Sequence, residues 1–182
     1  MPDSDKTQSF HHLSIAAMIK ALHNLQSVLN KAEDHAKQNN IDFATLLQAS
    51  LYPDMYNLLQ QLQYSCYVPA DFAQHFSGDP VPRVGYDEAT LADCRASIAT
   101  TIAYLEGIPP QRLAERAMRV IPTFIDSSMG MTAMDYAAML TLPDFYFHAT
   151  AAYAILRHKG VPLGKGDFLG HLPMVPMAEA KS

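Results

Sequence analysis

Asp144 and His148 are the strongest candidates in the sequence for a functional pair. They lie four residues apart in the most apolar stretch of the chain. In a helix, positions i and i+4 share one face, so both side chains would project into the same neighbouring element. A carboxylate and an imidazole placed in this way can bind a metal ion or hold a small ligand. In the structural alternative, backbone amides satisfy Asp144, while Asp54 or a tyrosine hydrogen-bonds to a buried His148.

The stretch that carries this pair predicts a helix buried on most of its sides. Between Phe145 and Leu156 no residue is charged, apart from a proton that His148 can carry. Lys159 followed by Gly160 is typical of a helix end. A helix with so little polar surface needs other helices packed around it.

A first long helix is predicted near the start of the chain. Ser9 is a candidate cap, apolar residues then recur at steps of three and four, and Gln38 lies where the pattern ends. Asp42 can cap a short helix that continues through Leu51.

Two further long helices are predicted in the middle of the chain. Pro53 suits the first position of helix two, and Asp54 would then lie at the positive end of its dipole. Pro69 is expected to kink or split this helix, because proline removes a backbone donor. Helix three follows Thr90 and ends at Gly107.

A short irregular or β-like insertion is predicted between helices three and four. A turn of helix can open at Pro110, and the β-branched residues of 118–125 favour a strand or small hairpin. Thr132 and Asp135 approximate a capping box for a segment that continues to Thr141. The glycine-rich tail, residues 161–182, is expected to lack regular structure and to pack back through Leu163 and Phe168.

These elements predict an all-α, antiparallel four-helix bundle forming one domain over residues 1–182, with a frayed segment at 1–8. The formal charge of −5 and the pI near 5.8 give no basic surface for nucleic acid. No signal peptide and no membrane span is expected. Cys66 and Cys94 lack a C-x-x-C partner and are interpreted as reduced core residues. The predicted location is therefore the cytoplasm.

The final helix resembles that of the DinB/YfiT-like superfamily of four-helix bundles. The pattern Leu-Pro-Asp-Phe-Tyr-Phe-His from Leu142, with Ala-Tyr-Ala-Ile-Leu-Arg-His-Lys-Gly-Val and Leu-Gly-Lys-Gly-Asp-Phe-Leu-Gly after it, is similar to its uncharacterised DUF1993 branch. The Pro-Asp-Met run at Pro53 also fits that branch. The resemblance covers nearly the whole chain and implies the bundle fold.

Metal-binding members of that superfamily use three histidines, one on the second helix and two spaced H-x3-H on the last. By resemblance, His148 occupies the place of the second of the two histidine ligands on the last helix, because Arg157 and Gly160 follow at the family spacing. The preceding position holds Asp144. No histidine occurs between Tyr52 and Tyr67, so Asp54 or Gln61 would have to serve there.

Two carboxylates and one histidine, Asp54, Asp144 and His148, would suit zinc, nickel, manganese or iron with open positions. The default expectation is nevertheless that the protein has no cofactor. The leading hypothesis is a small-molecule-binding bundle lacking the full three-histidine site. Its predicted ligand-binding residues are Asp54, Gln61, Asp144, His148 and Tyr153.

Two other classes of protein stay open. One is a metal-dependent enzyme, by resemblance to superfamily members that act on low-molecular-weight thiols. The other is a structural or stress-related dimer without a catalytic site. Ten methionines and nine tyrosines favour an adaptable interface, so a homodimer is predicted.

Overall fold

The computed structural model describes residues 9–77, 79–123, 125–126 and 128–177. In chain order its helices and strands are α1 (Ala17–Gln38), α2 (Phe43–Leu47), α3 (Leu58–Gln74), α4 (Leu91–Glu106), α5 (Pro110–Arg116), β1 (Val120–Pro122), β2 (Gly130–Thr132), α6 (Ala133–Asp135), α7 (Leu142–His158) and α8 (Lys165–Leu169). Two π-helical segments, His12–Ala16 and Tyr136–Thr141, continue directly into α1 and α7.

The four long helices α1, α3, α4 and α7 surround one hydrophobic core. Both α4 and α7 pack against α3, and the same two helices pack against α1, so α1 and α3 lie on opposite sides of the bundle. Each long helix contributes fully or nearly fully buried side chains, including Met18, Leu62, Ile98 and Ile155. The predicted all-α four-helix bundle is confirmed.

The start of α3 differs from the prediction. Asn57 caps the helix: its side chain accepts a hydrogen bond from Gln60 N at 2.9 Å, and Gln60 Oε1 accepts one from Asn57 N at 3.1 Å. The predicted start at Pro53 is wrong, because this reciprocal cap satisfies the first amides four residues later. Of the two effects predicted for Pro69, a split does not occur, since α3 continues through it to Gln74. The kink stays a prediction.

The insertion before α7 matches its prediction. Strands β1 and β2 form an antiparallel hairpin in which Ile121 is opposite Met131. Thr132 then caps α6 by accepting from Asp135 N at 3.2 Å. The helical path from there through the π-helical segment into α7 has no break.

The tail contains the short helix α8, so the prediction of no regular structure there is wrong. Asp167 accepts a hydrogen bond from Gly164 N at 2.8 Å and forms an ion pair with Lys31 at 2.6 Å. Asn24 Nδ2 donates to the Phe168 carbonyl at 3.0 Å, which holds α8 against α1. The prediction that Leu163 and Phe168 pack back on the bundle is confirmed, with Leu163 buried and Phe168 in edge contact with Tyr153.

The glycine after α8 permits this close approach. Gly170 has a φ of 62°, and a Cβ built there would lie 2.0 Å from Asn24 Oδ1. The predicted frayed segment 1–8 and the end of the tail, 178–182, lie outside the described residues. Across the part of the chain that is described, no helix is both long and apolar enough to cross a bilayer.

Candidate functional site

His148 and Gln61 form a buried hydrogen bond between α7 and α3. The imidazole Nδ1 lies 2.7 Å from Gln61 Oε1, and the two residues are 5% and 1% exposed. Gln61 Nε2 donates to the Tyr56 carbonyl at 3.3 Å, which orients the amide so that its oxygen faces His148. Because an amide oxygen only accepts, Nδ1 carries the hydrogen in this bond.

The other imidazole nitrogen faces Asp144. His148 Nε2 lies 3.2 Å from Asp144 Oδ1, one helical turn away on α7. Both nitrogens of His148 are therefore engaged inside the bundle. The Asp144 side chain is 36% exposed, so it is the member of this pair that a solute can reach. Gln61, His148 and Asp144 form a chain of contacts from the core to the surface.

Two tyrosines cover the imidazole. The Tyr64 ring stacks on His148 at a centroid distance of 4.8 Å, and the Tyr56 ring stacks on Tyr64 at 5.1 Å. The Tyr56 hydroxyl also donates to the Tyr64 hydroxyl at 3.4 Å. This stack shields His148 and fixes its ring plane, so the contact with Asp144 has a defined direction.

Asp144 lies on the wall of a groove of about 520 Å³. We call this cavity the α3–α7 groove, and its lining residues are Tyr64, Tyr67, Val68, Asp71, Gln74 and His75 of α3, Pro122 and Thr123 at the end of β1, Tyr136, Leu140 and Thr141 of the π-helical segment, and Asp144 of α7. Its size is typical of sites for small organic molecules. One wall is the π-helical segment, an irregularity that often occurs at functional sites.

Sequence reasoning missed a second aspartate–histidine pair in this groove. Asp71 and His75 on α3 have the same four-residue spacing as Asp144 and His148. Burial raises the pKa of the Asp71 carboxyl and lowers the pKa of His75. Gln74 Nε2 donates to Asp71 at 2.6 Å, and the His75 ring makes an edge contact with Tyr136. The repeated spacing was the signal that could have found this pair.

The structure separates two of the predicted ligand-binding residues from the others. Asp54 is exposed in the turn before α3, because the helix begins only at Leu58. Tyr153 lines a different, smaller cavity of about 100 Å³ between α1, α7 and α8. Gln61, His148 and Asp144 are brought together, whereas Asp54 and Tyr153 lie apart from them.

The donors for a metal ion are fewer than the sequence hypothesis requires. His148 Nε2 and Asp144 Oδ1 face each other, but no group of three histidine, cysteine or acidic side chains able to hold a metal ion is found within residues 9–77, 79–123, 125–126 and 128–177. On α3, the side chain that hydrogen-bonds to His148 is the Gln61 amide, and its oxygen contacts Nδ1, the ring nitrogen that faces away from Asp144. These residues do not fit the three-histidine site of the superfamily.

The two cysteines are core residues, as predicted. Both are buried. Burial raises the pKa of the Cys66 thiol and raises that of Cys94 to about 12. Thiols in such surroundings stay protonated and are poor nucleophiles.

The helical bundle has a counterpart among solved structures. The structure is similar to the crystal structure of a DinB family member from Shewanella denitrificans, with a TM-score of 0.85 and 32% sequence identity over 93% of this chain and 97% of the other. The protein is therefore a DinB-like helical bundle, in agreement with the resemblance of its final helix.

Within that superfamily the chain belongs to a family that has no assigned function. Residues 10–169 match the family model described as "Domain of unknown function (DUF1993)", so the chain is a member of the DUF1993 family. A search of curated proteins found no match to it.

Proposed function

We propose that this DUF1993 protein binds a small organic molecule in the α3–α7 groove, with Asp144 as its main polar contact. The observation that carries the proposal is the anchored carboxylate. Asp144 lies on the wall of the groove, and His148 links it to the fully buried Gln61. A polar group held in one direction beside a cavity is what a specific ligand site requires.

The burial of the anchor supports the same proposal. Taking an imidazole and an amide out of water costs free energy, and their mutual hydrogen bond only offsets that cost. Apolar side chains at positions 61 and 148 would fill the same space without this cost. A role for Asp144 at the groove would explain why the buried Gln61 and His148 that hold it are polar.

A thermal-shift screen of a compound library tests the proposal. The wild type is compared with Asp144→Asn, which removes the charge but keeps the size of the side chain and its ability to hydrogen-bond to His148. Asp34→Asn is the matched control, because Asp34 is exposed on α1. Compounds that bind the groove should raise the Tm of the wild type and the control and fail to raise that of Asp144→Asn. Equal shifts in all three proteins would contradict the proposal.

A metal-dependent enzyme acting on small thiols is the competing proposal. It is favoured by the way Gln61 accepts from Nδ1 of His148, because metal-binding histidines commonly use their second nitrogen in this manner. The check is elemental analysis of protein purified without chelator, beside Asp144→Ala and His148→Ala. Near-stoichiometric metal that both variants lose would support it. No metal in the wild type, even after adding zinc, nickel, manganese or iron, would contradict it.

A homodimer is a further proposal, supported by exposed methionines. Met118 and Met139 are 71% and 70% exposed, and Met129 and Met134 are also exposed nearby in the sequence. Light scattering at tens of micromolar protein measures the mass directly. A dimeric mass would support the proposal, and a monomeric mass would contradict it.

A further inference from the structure

The α3–α7 groove is lined by acidic and aromatic side chains. Asp71 and Asp144 contribute two carboxylates from two different helices. Tyr64, Tyr67 and Tyr136 contribute aromatic rings. Among the described residues that line the groove there is no lysine or arginine. The cavity therefore combines negative charge with aromatic side chains.

The two carboxylates act on a common space beside Tyr136. Burial, together with the negative charges of Asp71 and Asp144, raises the pKa of the Tyr136 hydroxyl. Both carboxylates line the same cavity as this phenol, although they belong to α3 and α7. A ligand group next to Tyr136 would experience both charges.

The neighbours of Asp71 leave room for a further positive charge. Asp71 is partly buried, and its hydrogen-bond partner is the neutral Gln74 amide. Burial raises the pKa of Asp71 and lowers the pKa of His75, so burial disfavours the charged form of both residues. A cation placed beside Asp71 would compensate the carboxylate that burial disfavours.

We propose that the ligand of the α3–α7 groove is an organic ammonium ion. Its charged nitrogen lies between Asp71 and Asp144 and against the tyrosine rings, whose faces attract cations. Its apolar part packs on Val68, Leu140 and Pro122, which line the same cavity. This assignment rests on the proposed function and adds the chemical class of the ligand.

Three probes of similar shape test the charge preference. Phenethylamine is cationic, phenethyl alcohol is neutral and phenylacetate is anionic, and each is titrated by NMR into the full chain. We expect phenethylamine to bind at least about tenfold more tightly than the other two. Asp71→Asn and Asp144→Asn should each weaken amine binding by about tenfold, with alcohol binding unchanged. Asp34→Asn should leave all three affinities as in the wild type.

The possible outcomes separate this inference from the proposed function. Phenylacetate or the alcohol binding as well as the amine would overturn the ammonium assignment, and so would an amine affinity that neither variant changes. Failure of all three probes to bind would also overturn it. The groove would still be a ligand site if library compounds stabilise the wild type and not Asp144→Asn. Melting curves show whether Asp71→Asn and Asp144→Asn are folded. If only one of them folds, its amine affinity is sufficient for the test.

Discussion

The aspartate–histidine pairs of α7 and α3 have the same spacing but different surroundings. On α7, His148 is 5% exposed and both its nitrogens are engaged, by Gln61 and by Asp144. On α3, His75 is only partly buried and contacts Tyr136, while Asp71 is held by Gln74. The first pair is anchored in the core through His148 and reaches the groove only with Asp144, whereas both residues of the second pair line the groove.

This difference shows that the partner helix, and not the spacing, decides what such a pair does. His148 faces α3, where Gln61 and Tyr64 supply a hydrogen-bond acceptor and a stacking surface. His75 lies near the end of α3, where the hairpin and the π-helical segment leave a cavity. We therefore expect His148 to matter mainly for stability and for holding Asp144, and the α3 pair mainly for the groove.

The largest expected effect is the loss of stability caused by His148→Ala. Removing the ring leaves a cavity under Tyr64 and an unpaired Gln61 oxygen, so the free energy of unfolding should fall by about 3 kcal/mol. His75→Ala should lower it by less than about 1 kcal/mol, because its ring is partly exposed. Urea denaturation of both variants measures the difference. Equal losses of unfolding free energy in the two variants would show that the deeper burial of His148 does not make it more important for stability than His75.

The next largest effect is expected for Gln61→Ala. This change leaves the buried Nδ1–H of His148 without its acceptor, which should cost about 2 kcal/mol. It should also weaken ligand binding at Asp144, because the imidazole is no longer fixed. Denaturation and the thermal-shift screen measure the two effects. An unchanged affinity would mean that Asp144 is positioned without the Gln61 anchor.

A smaller effect is expected at the start of α3. Asn57→Ala removes the cap of the helix that presents Gln61, at a cost of about 1 kcal/mol. Asp54→Ala is the matched comparison and should change stability by less than about 0.5 kcal/mol, since its side chain is exposed in the turn before the cap. Denaturation of the two variants decides where the helix begins. A larger loss for Asp54→Ala would favour the start predicted from the sequence.

The smallest expected effect is the contribution of Asp71 and His75 to the pH dependence of stability. Burial lowers the pKa of His75, whereas the unfolded chain takes up this proton near the ordinary value of 6.5. The unfolded state therefore binds more protons below that pH, and stability falls as the pH is lowered through this range. His75→Gln should lose less stability on acidification than the wild type.

Denaturation curves between about pH 5 and 8 measure this contribution. His23→Gln is the control, because His23 is exposed on α1, and its curve should follow that of the wild type. The raised pKa of Asp71 changes stability in the opposite direction to His75, and it does so at the lower pH where carboxyl groups titrate. It stabilises the fold at acid pH and loses this effect as the pH rises through the folded pKa. Identical slopes for His75→Gln and the wild type would contradict the assignment.

The positions of the helices could be predicted from the sequence, because their apolar periodicity and several of their caps are local properties of the chain. The buried helix at Leu142–His158, the hairpin before it and the pairing of Asp144 with His148 all follow from residues close together in the sequence. The start of α3 was misplaced because Pro53 and Asn57 both offer helix-start chemistry, and only the structure shows that the Asn57 cap forms.

Contacts between distant parts of the sequence become visible only in the folded chain. Gln61 and His148 are 87 positions apart, and the helical rotation that brings Gln61 to the imidazole depends on how α3 packs against α7. The same packing leaves Asp54 outside and places Tyr153 against α8. It also opens the groove that joins Asp71 and Asp144. These contacts depend on long-range packing, which the local pattern of the chain does not encode.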